Sequence, residues 1–222
     1  MKNNANNMKK IKQCSALFAL MVLTLACNEE DYLDTEDYDF GYTGLQFSIN
    51  SHTEDLSIDN FNSLFVGKGW EVLSRALILY DGSLKTDGIG EGCPTFSVLY
   101  FDNNNIMHHI SPNGNYWSSR YDYDGISVHR YPLDESQIAF SGDPFLTFLK
   151  VKPDRITCVE HLGYGHLPGV EGNNTPTFSL TVLKKVSDSE LKDYFGKCRG
   201  YENSPKWPII SPSDKAPLPN LD

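Results

Sequence analysis

Short extended segments separated by turn residues fill most of the chain between residues 69 and 186, and this pattern constrains the fold more than any other feature. Most connections are too short for the crossover that parallel strands require, so consecutive strands are expected to be antiparallel neighbours. Eight strands in this order predict a mainly β fold, an eight-stranded antiparallel up-and-down barrel. The predicted strands cover residues 69–80, 95–101, 106–110, 116–123, 126–131, 145–151, 155–162 and 177–186.

Two helices are predicted at the ends of this strand series. Ser57 can cap a helix that continues to residue 65, because apolar side chains recur there on one face. Ser187 and Glu190 have the spacing of a capping box, which predicts a helix over residues 188–195. The barrel is therefore expected to carry a short N-terminal and a short C-terminal helix.

The first 26 residues have the order of a secretory signal, with three lysines at positions 9–12 followed by an apolar run over residues 16–26. The run is too short to span a bilayer, which needs about 20 residues. It ends in "TLAC", which resembles the lipobox of bacterial lipoproteins, although Thr24 stands where that motif usually has an aliphatic residue. We therefore predict a lipoprotein signal peptide over residues 1–26 and lipid attachment at Cys27, the alternative being an ordinary cleaved signal.

Residues 28–40 carry seven carboxylates and no basic side chain, and their mutual repulsion predicts an extended segment. We assign residues 27–44 to an acidic tether between the lipid and the folded domain. Acidic residues directly after a lipidated cysteine also resemble the export signal of surface lipoproteins of the Bacteroidetes. That resemblance implies a lipid-anchored protein of the outer membrane, exposed on the cell surface, whereas the alternative is a plain solvated linker.

The charge balance argues against one class of partner. The 19 basic residues fall to 15 once the four lysines of the signal are removed, and 29 acidic residues face them, a formal charge of −14. Nucleic acid requires a basic face, so no nucleic-acid partner is expected.

The remaining length suits one domain, assigned to residues 45–200, followed by an extended tail with five prolines over residues 201–222.

The order of a helix, the segment "VGKGWEVL", a strand meander and a second helix resembles the lipocalin-like (calycin) domains, among them small lipoproteins of the Bacteroidetes. The resemblance covers residues 57–196 and is most specific at "GKGW", residues 67–70. Lipocalins place a glycine two positions before a tryptophan that plugs the barrel, whereas here the glycines stand three and one positions before Trp70. Lipocalins also place an arginine over that tryptophan, where this chain offers Lys184 or Lys185. The resemblance implies a barrel that binds a small apolar ligand.

No catalytic signature appears in the chain, and we expect neither an enzyme nor a cofactor. Cys158, His161 and His166 combine metal-ligand types, but the first two fall on opposite faces of one predicted strand. A buried thiol and two surface histidines are therefore favoured over a metal site. His108 and His109 likewise cannot both face one site, and a satisfied hydrogen-bonding role is expected for one of them.

An aromatic-rich segment supplies most of the candidate ligand or contact residues. Alternation places Tyr116 and Arg120 on one face of a strand and Trp117 and Tyr121 on the other. In one interpretation one row packs inward and the other covers the sheet. In the second, these residues form a contact surface for a sugar or a protein, because exposed aromatic residues are enriched in binding sites. Trp70 is a further candidate ligand or contact residue.

Three cysteines, Cys93, Cys158 and Cys198, remain after the signal and the lipidated cysteine, and export permits one disulfide among them. Cys158 is expected to point inward beside Ile156 as a free thiol. If the C-terminal helix runs back along the outside of the barrel, Cys198 arrives near the rim where Cys93 lies. The predicted disulfide therefore joins Cys93 and Cys198.

Two roles fit these features. The first is a non-enzymatic binding module, a surface lipoprotein that holds a small apolar molecule or a glycan. The second is an interaction or structural subunit of an outer-membrane assembly, with an outer-membrane protein as partner and a barrel filled by its own side chains. A cavity lined by apolar residues with a few polar ones favours the first, and a dry barrel with an exposed aromatic patch favours the second.

Overall fold

The computed structural model describes residues 38–86, 97–111, 116–133, 144–172 and 174–197, and it confirms the predicted barrel. In chain order the elements are β1 (Phe40–Thr43), β2 (Gln46–Ile49), α1 (Ile58–Phe65), β3 (Lys68–Ile78), β4 (Leu84–Lys85), β5 (Val98–Phe101), β6 (Ile106–Ile110), β7 (Tyr116–Tyr123), β8 (Ser127–Tyr131), β9 (Pro144–Lys152), β10 (Arg155–Gly165), β11 (Thr175–Val186) and α2 (Asp188–Lys197). Strands β3 and β5 to β11 pair consecutively and antiparallel, and β11 pairs with β3 to close the barrel. The short β4 pairs with the end of β3, at Leu77 and Ile78.

The two ends of the barrel differ in the length of their connections. At one end the turns span only residues 102–105, 124–126 and 153–154. Asp102 Oδ1 accepts the backbone N–H groups of Asn104 and Ile106 at 2.7 and 2.9 Å, which fixes the first of these turns. We call this the closed end and the opposite end, where the longer connections lie, the loop end.

Helix α1 covers the closed end of the barrel. Its first turn is capped by Ser57, whose Oγ accepts the Asn60 N–H at 3.2 Å, as predicted. Phe61 and Phe65 are buried on its inner face, and the Phe65 ring lies 5.3 Å from that of Trp70. Because the apolar side chains recur at helical spacing, one face of a short helix can seal the barrel against water.

Helix α2 lies along the outside of the barrel, which is the path assumed for the predicted disulfide. The capping box is confirmed, since Glu190 accepts the Ser187 N–H at 2.8 Å and Ser187 Oγ accepts the Glu190 N–H at 3.3 Å. Its buried face packs on the outward rows of β5 to β7 through Leu191 and Phe195. Cys93 and Cys198 lie outside the described residues.

The two glycines of "GKGW" have different structural roles. Gly67 has a φ of +71° and lies in the turn between α1 and β3. A Cβ at Gly69 would lie 2.6 Å from Val186 Cγ2 and 2.7 Å from Leu191 Cδ1, so a larger residue there would displace these two side chains where α2 packs on the start of β3. Across the closing pair of strands, Lys185 is the register partner of Trp70.

The N-terminal hairpin of β1 and β2 packs on the outside of the barrel. Phe47 stacks on Phe178 with ring centroids 4.0 Å apart, and the Tyr42 hydroxyl donates to the Pro176 carbonyl at 3.2 Å. Phe40 is only 4% exposed, so the folded part begins before the domain boundary drawn at residue 44. The acidic composition around Phe40 concealed the alternation of Phe40 and Tyr42, which the hairpin uses for packing.

The described residues do not include the predicted signal, Cys27 or the tail over residues 201–222. The other domain boundaries predicted near the chain ends also lie outside them. Among the helices that the structure describes, neither has the length and apolarity needed to cross a bilayer.

Candidate functional site

The barrel interior has two layers that differ in polarity. The layer at the closed end is apolar and aromatic, and it forms a floor under the rest of the interior. Its members are Phe61, Phe65, Trp70, Phe101, Met107, Tyr121, Tyr123, Phe148, Ile156 and Leu183. Above it, toward the loop end, charged and polar side chains enter the interior from several strands.

The centre of the upper layer is an ion pair between Arg75 of β3 and Glu160 of β10. Glu160 Oε2 accepts from Arg75 Nε at 2.9 Å and lies 2.8 Å from Arg75 Nη2. The same oxygen accepts from Thr181 Oγ1 at 3.1 Å and from Ser179 Oγ at 3.4 Å. These four donors give the carboxylate oxygen the hydrogen bonds that an isolated buried charge would lack. The side chains are only 10% and 2% exposed, so this pair is screened little by solvent.

A second arginine, Arg130 of β8, lies in the same layer. Its guanidinium carbon is 4.4 Å from the centroid of the Phe145 ring, a cation–π contact. Phe145 reaches this position because the register between β8 and β9 shifts after Val128, so that the aromatic side chain joins the interior cluster. Burial lowers the pKa of Arg130, while the charge of Glu160 raises it.

His109 and Trp117 form the wall beside Arg130. Their rings stack with centroids 5.0 Å apart, and His109 Nε2 lies 3.1 Å from Ser119 Oγ. Burial lowers the pKa of His109 well below its usual value, and the positive charge of Arg130 lowers it further. The imidazole is therefore neutral at neutral pH and adds no charge to the layer.

Cys158 lies inside the barrel beside Ile156, as predicted, with a free thiol. Its Sγ donates to the Thr181 carbonyl at 3.6 Å, and burial raises the pKa of the thiol. His161 lies on the opposite face of β10, where it stacks on Phe178 at 4.7 Å. The two residues therefore cannot share a metal ion, and the described ranges contain no group of three or more His, Cys, Asp or Glu residues that could hold one.

A second polar network lies outside the barrel, beneath α2. His108 Nε2 lies 3.1 Å from Asp102 Oδ2, and its Nδ1 lies 2.7 Å from the Tyr116 hydroxyl. This confirms the hydrogen-bonding role expected for one of the adjacent histidines, and the other faces the interior. Burial lowers the pKa of His108, and the carboxylate of Asp102 opposes that shift. The Phe195 ring packs edge-on to His108 and Tyr116, so α2 shields the network from a ligand.

The predicted aromatic residues do not form one surface. Trp70, Trp117 and Tyr121 pack in the interior, while Tyr116 packs under α2. Arg120 lies on the outward row, where its Nε donates to the Pro132 carbonyl at 3.1 Å. The division of β7 into two rows is confirmed, but the contact-surface interpretation is wrong for Trp70, Tyr116 and Tyr121, which are 0%, 2% and 7% exposed. The reason is that α2 covers Tyr116, whereas Trp70 and Tyr121 point into the barrel.

The residues that matter most in the interior were not singled out from the sequence. The signal for Glu160 was present, because it has the same parity on its strand as Ile156 and Cys158, which were predicted to point inward. Arg130 likewise shares its parity with Val128. The pairing of Arg75 with Glu160 had no local signal, since the two residues are 85 positions apart.

No protein-family model, curated protein or solved structure matches this chain.

Proposed function

We propose that this chain is a membrane-anchored, surface-exposed lipoprotein that binds a small apolar molecule inside its barrel, without catalysing a reaction. The observation that carries the proposal is the layered interior, an apolar floor beneath a few inward-facing polar groups. Small-molecule sites combine these two kinds of lining. The apolar floor favours an apolar molecule over the glycan that was the other expectation.

The geometry of the ionisable groups supports binding over catalysis. Glu160 Oε2 accepts from four donors, and these contacts hold the oxygen in place. Cys158 is protonated because burial raises the pKa of its thiol, whereas a nucleophilic cysteine needs a lowered pKa. The Asp102–His108–Tyr116 network has the order of a proton relay, but Phe195 covers it.

The lipocalin-like relationship is part of the proposal. The closed eight-stranded barrel with one helix at each end of the strand series supports it. Trp70 lies at the closed end with Lys185 as its register partner, in the place where lipocalins have an arginine over the corresponding tryptophan, so the position is matched but the residue type is not.

We expect the neutral apolar probe N-phenyl-1-naphthylamine to bind in the barrel and to quench tryptophan fluorescence, because Trp117 lines the interior. Ser119→Leu should weaken the affinity for the probe about tenfold, since the larger side chain fills space next to Trp117. Fluorescence titration of both proteins measures the effect.

The matched control is Ser63→Leu, which makes the same change on the exposed face of α1. Equal probe binding by all three proteins would place the probe outside the barrel and contradict an interior site.

Lipid anchoring is tested at Cys27. Labelling of source cells with a fatty-acid analogue should mark the wild-type protein and leave Cys27→Ser unmarked, because the thiol is the proposed acylation site. Protease added to the intact cells should then degrade the wild-type domain. Equal labelling of both proteins would contradict acylation at Cys27, and a domain protected until lysis would indicate that it faces the periplasm.

A structural role in an outer-membrane assembly is the second candidate, and one observation favours it. The floor is occupied by closely packed rings, with Phe61 and Phe65 centred 4.8 Å apart and Phe65 and Phe148 4.9 Å apart. A barrel filled to the loop end in this way would bind no probe, so the titration above also distinguishes the two candidates.

A further inference from the structure

The described side chains in the upper layer of the barrel interior carry an excess of positive charge. Arg75 and Arg130 are both cations, because guanidinium groups stay protonated in proteins. Glu160 is the carboxylate of this layer, and His109 is neutral there. Among the described residues of this layer, two positive charges therefore face one negative charge, in a place where an uncompensated charge is costly.

The excess charge is located on Arg130. Glu160 directs its Oε2 to Arg75, in contacts of 2.9 and 2.8 Å. In the part of the chain that the structure describes, no carboxylate lies within ion-pair distance of Arg130, and its contact is the Phe145 ring. Stacking on a ring orients a planar guanidinium but leaves its N–H groups free to donate at the edges.

The position of Arg130 suits a ligand group that enters from the loop end. Residue 130 lies near the loop-end terminus of β8 and is half-buried as a whole. The neighbouring surfaces are apolar or neutral, namely Phe145, Trp117 and His109. A ligand whose charged group binds Arg130 would thus place its apolar body beside these rings and above the floor.

We infer that Arg130 anchors the anionic group of a small amphipathic ligand, a monoanion such as a carboxylate on an apolar body, inside the barrel. The inference rests on the binding function proposed above and names the chemical class of its ligand. The anion forms charge-assisted hydrogen bonds to the guanidinium and neutralises the layer.

A matched pair of probes tests this. N-phenyl-1-naphthylamine is neutral, and 1-anilinonaphthalene-8-sulfonate carries one anionic group on the same aromatic framework. The full chain should bind the sulfonate at least tenfold more tightly than the neutral probe. Arg130→Gln should remove that preference, lowering the affinity for the sulfonate about tenfold and leaving that for the neutral probe within about twofold.

Two further variants separate charge from folding. Arg130→Lys keeps the charge and should retain part of the preference. Lys150→Gln removes an exposed positive charge from β9 and should leave both affinities unchanged. If Arg130→Gln does not fold, the ratio of the two affinities in Arg130→Lys and Lys150→Gln still decides the matter, since only the first should lower it.

The outcomes are distinct. An equal affinity of the wild type for the two probes, or an unchanged preference in Arg130→Gln, would overturn the role of Arg130 while the barrel site stands. Failure of the wild type to bind either probe would overturn the proposed binding function and this inference with it.

Discussion

Glu160→Gln should lower the free energy of unfolding by about 3 to 5 kcal/mol, the loss found when one partner of a buried ion pair is removed. The substitution keeps the shape of the side chain but removes the carboxylate charge that Arg75 contacts at 2.8 Å. Thr181 would also lose a charged acceptor that now lies 3.1 Å from its hydroxyl. Denaturant unfolding of the purified protein measures the change.

Two comparisons assign that loss to the interior. Glu171→Gln makes the same change at an exposed position and should alter stability by less than about 0.5 kcal/mol. Replacing both Arg75 and Glu160 by Met removes the pair together and should recover most of the stability, because neither charge is left in the interior without the other. A double variant no more stable than Glu160→Gln would show that the ion pair is not the source of the loss.

Phe65→Ala should also cost about 3 to 5 kcal/mol, as expected when a fully buried phenylalanine is truncated. The Phe65 side chain has no exposed surface, and its ring packs against Trp70, Phe101 and Phe148. Its loss opens a cavity between α1 and the floor, so we also expect faster amide hydrogen exchange in α1. Unfolding measurements and exchange of residues 58–65 test the two effects.

Ile58→Ala is the matched control on the same helix. Ile58 is 63% exposed, so its truncation should change stability by less than about 0.5 kcal/mol. Similar losses in the two variants would contradict the view that α1 closes the barrel through its inner aromatic face.

The two interior proposals depend on different parts of this structure. The floor beneath α1 decides whether the barrel can hold an apolar body, and the charge on Arg130 decides which head group that body carries. Phe65→Ala therefore tests the closure of the barrel, whereas Glu160→Gln tests the electrostatic balance in its upper layer. The affinities of the two probes, measured in both variants, would show whether these layers contribute independently.

Local patterns in the sequence were sufficient to predict the eight barrel strands and the two helices. Alternation in residues 116–123 placed Tyr116 and Trp117 on opposite faces, and Ser187 with Glu190 marked the start of α2. These signals are short in range, because side chains alternate along a strand and capping joins residues three positions apart. Short turns between the strands then left an antiparallel meander as the topology.

The composition of the interior was decided by tertiary structure. Closure of the barrel brings Arg75 of β3 beside Glu160 of β10, and no local pattern reports a contact between residues 85 positions apart. A shift in register turns Phe145 inward beneath Arg130, and such a bulge overrides the alternation of its strand. By itself the sequence determined which segments become the barrel strands, because periodicity is local. Only the closed barrel decided which charges meet inside it, because that depends on pairing between distant segments.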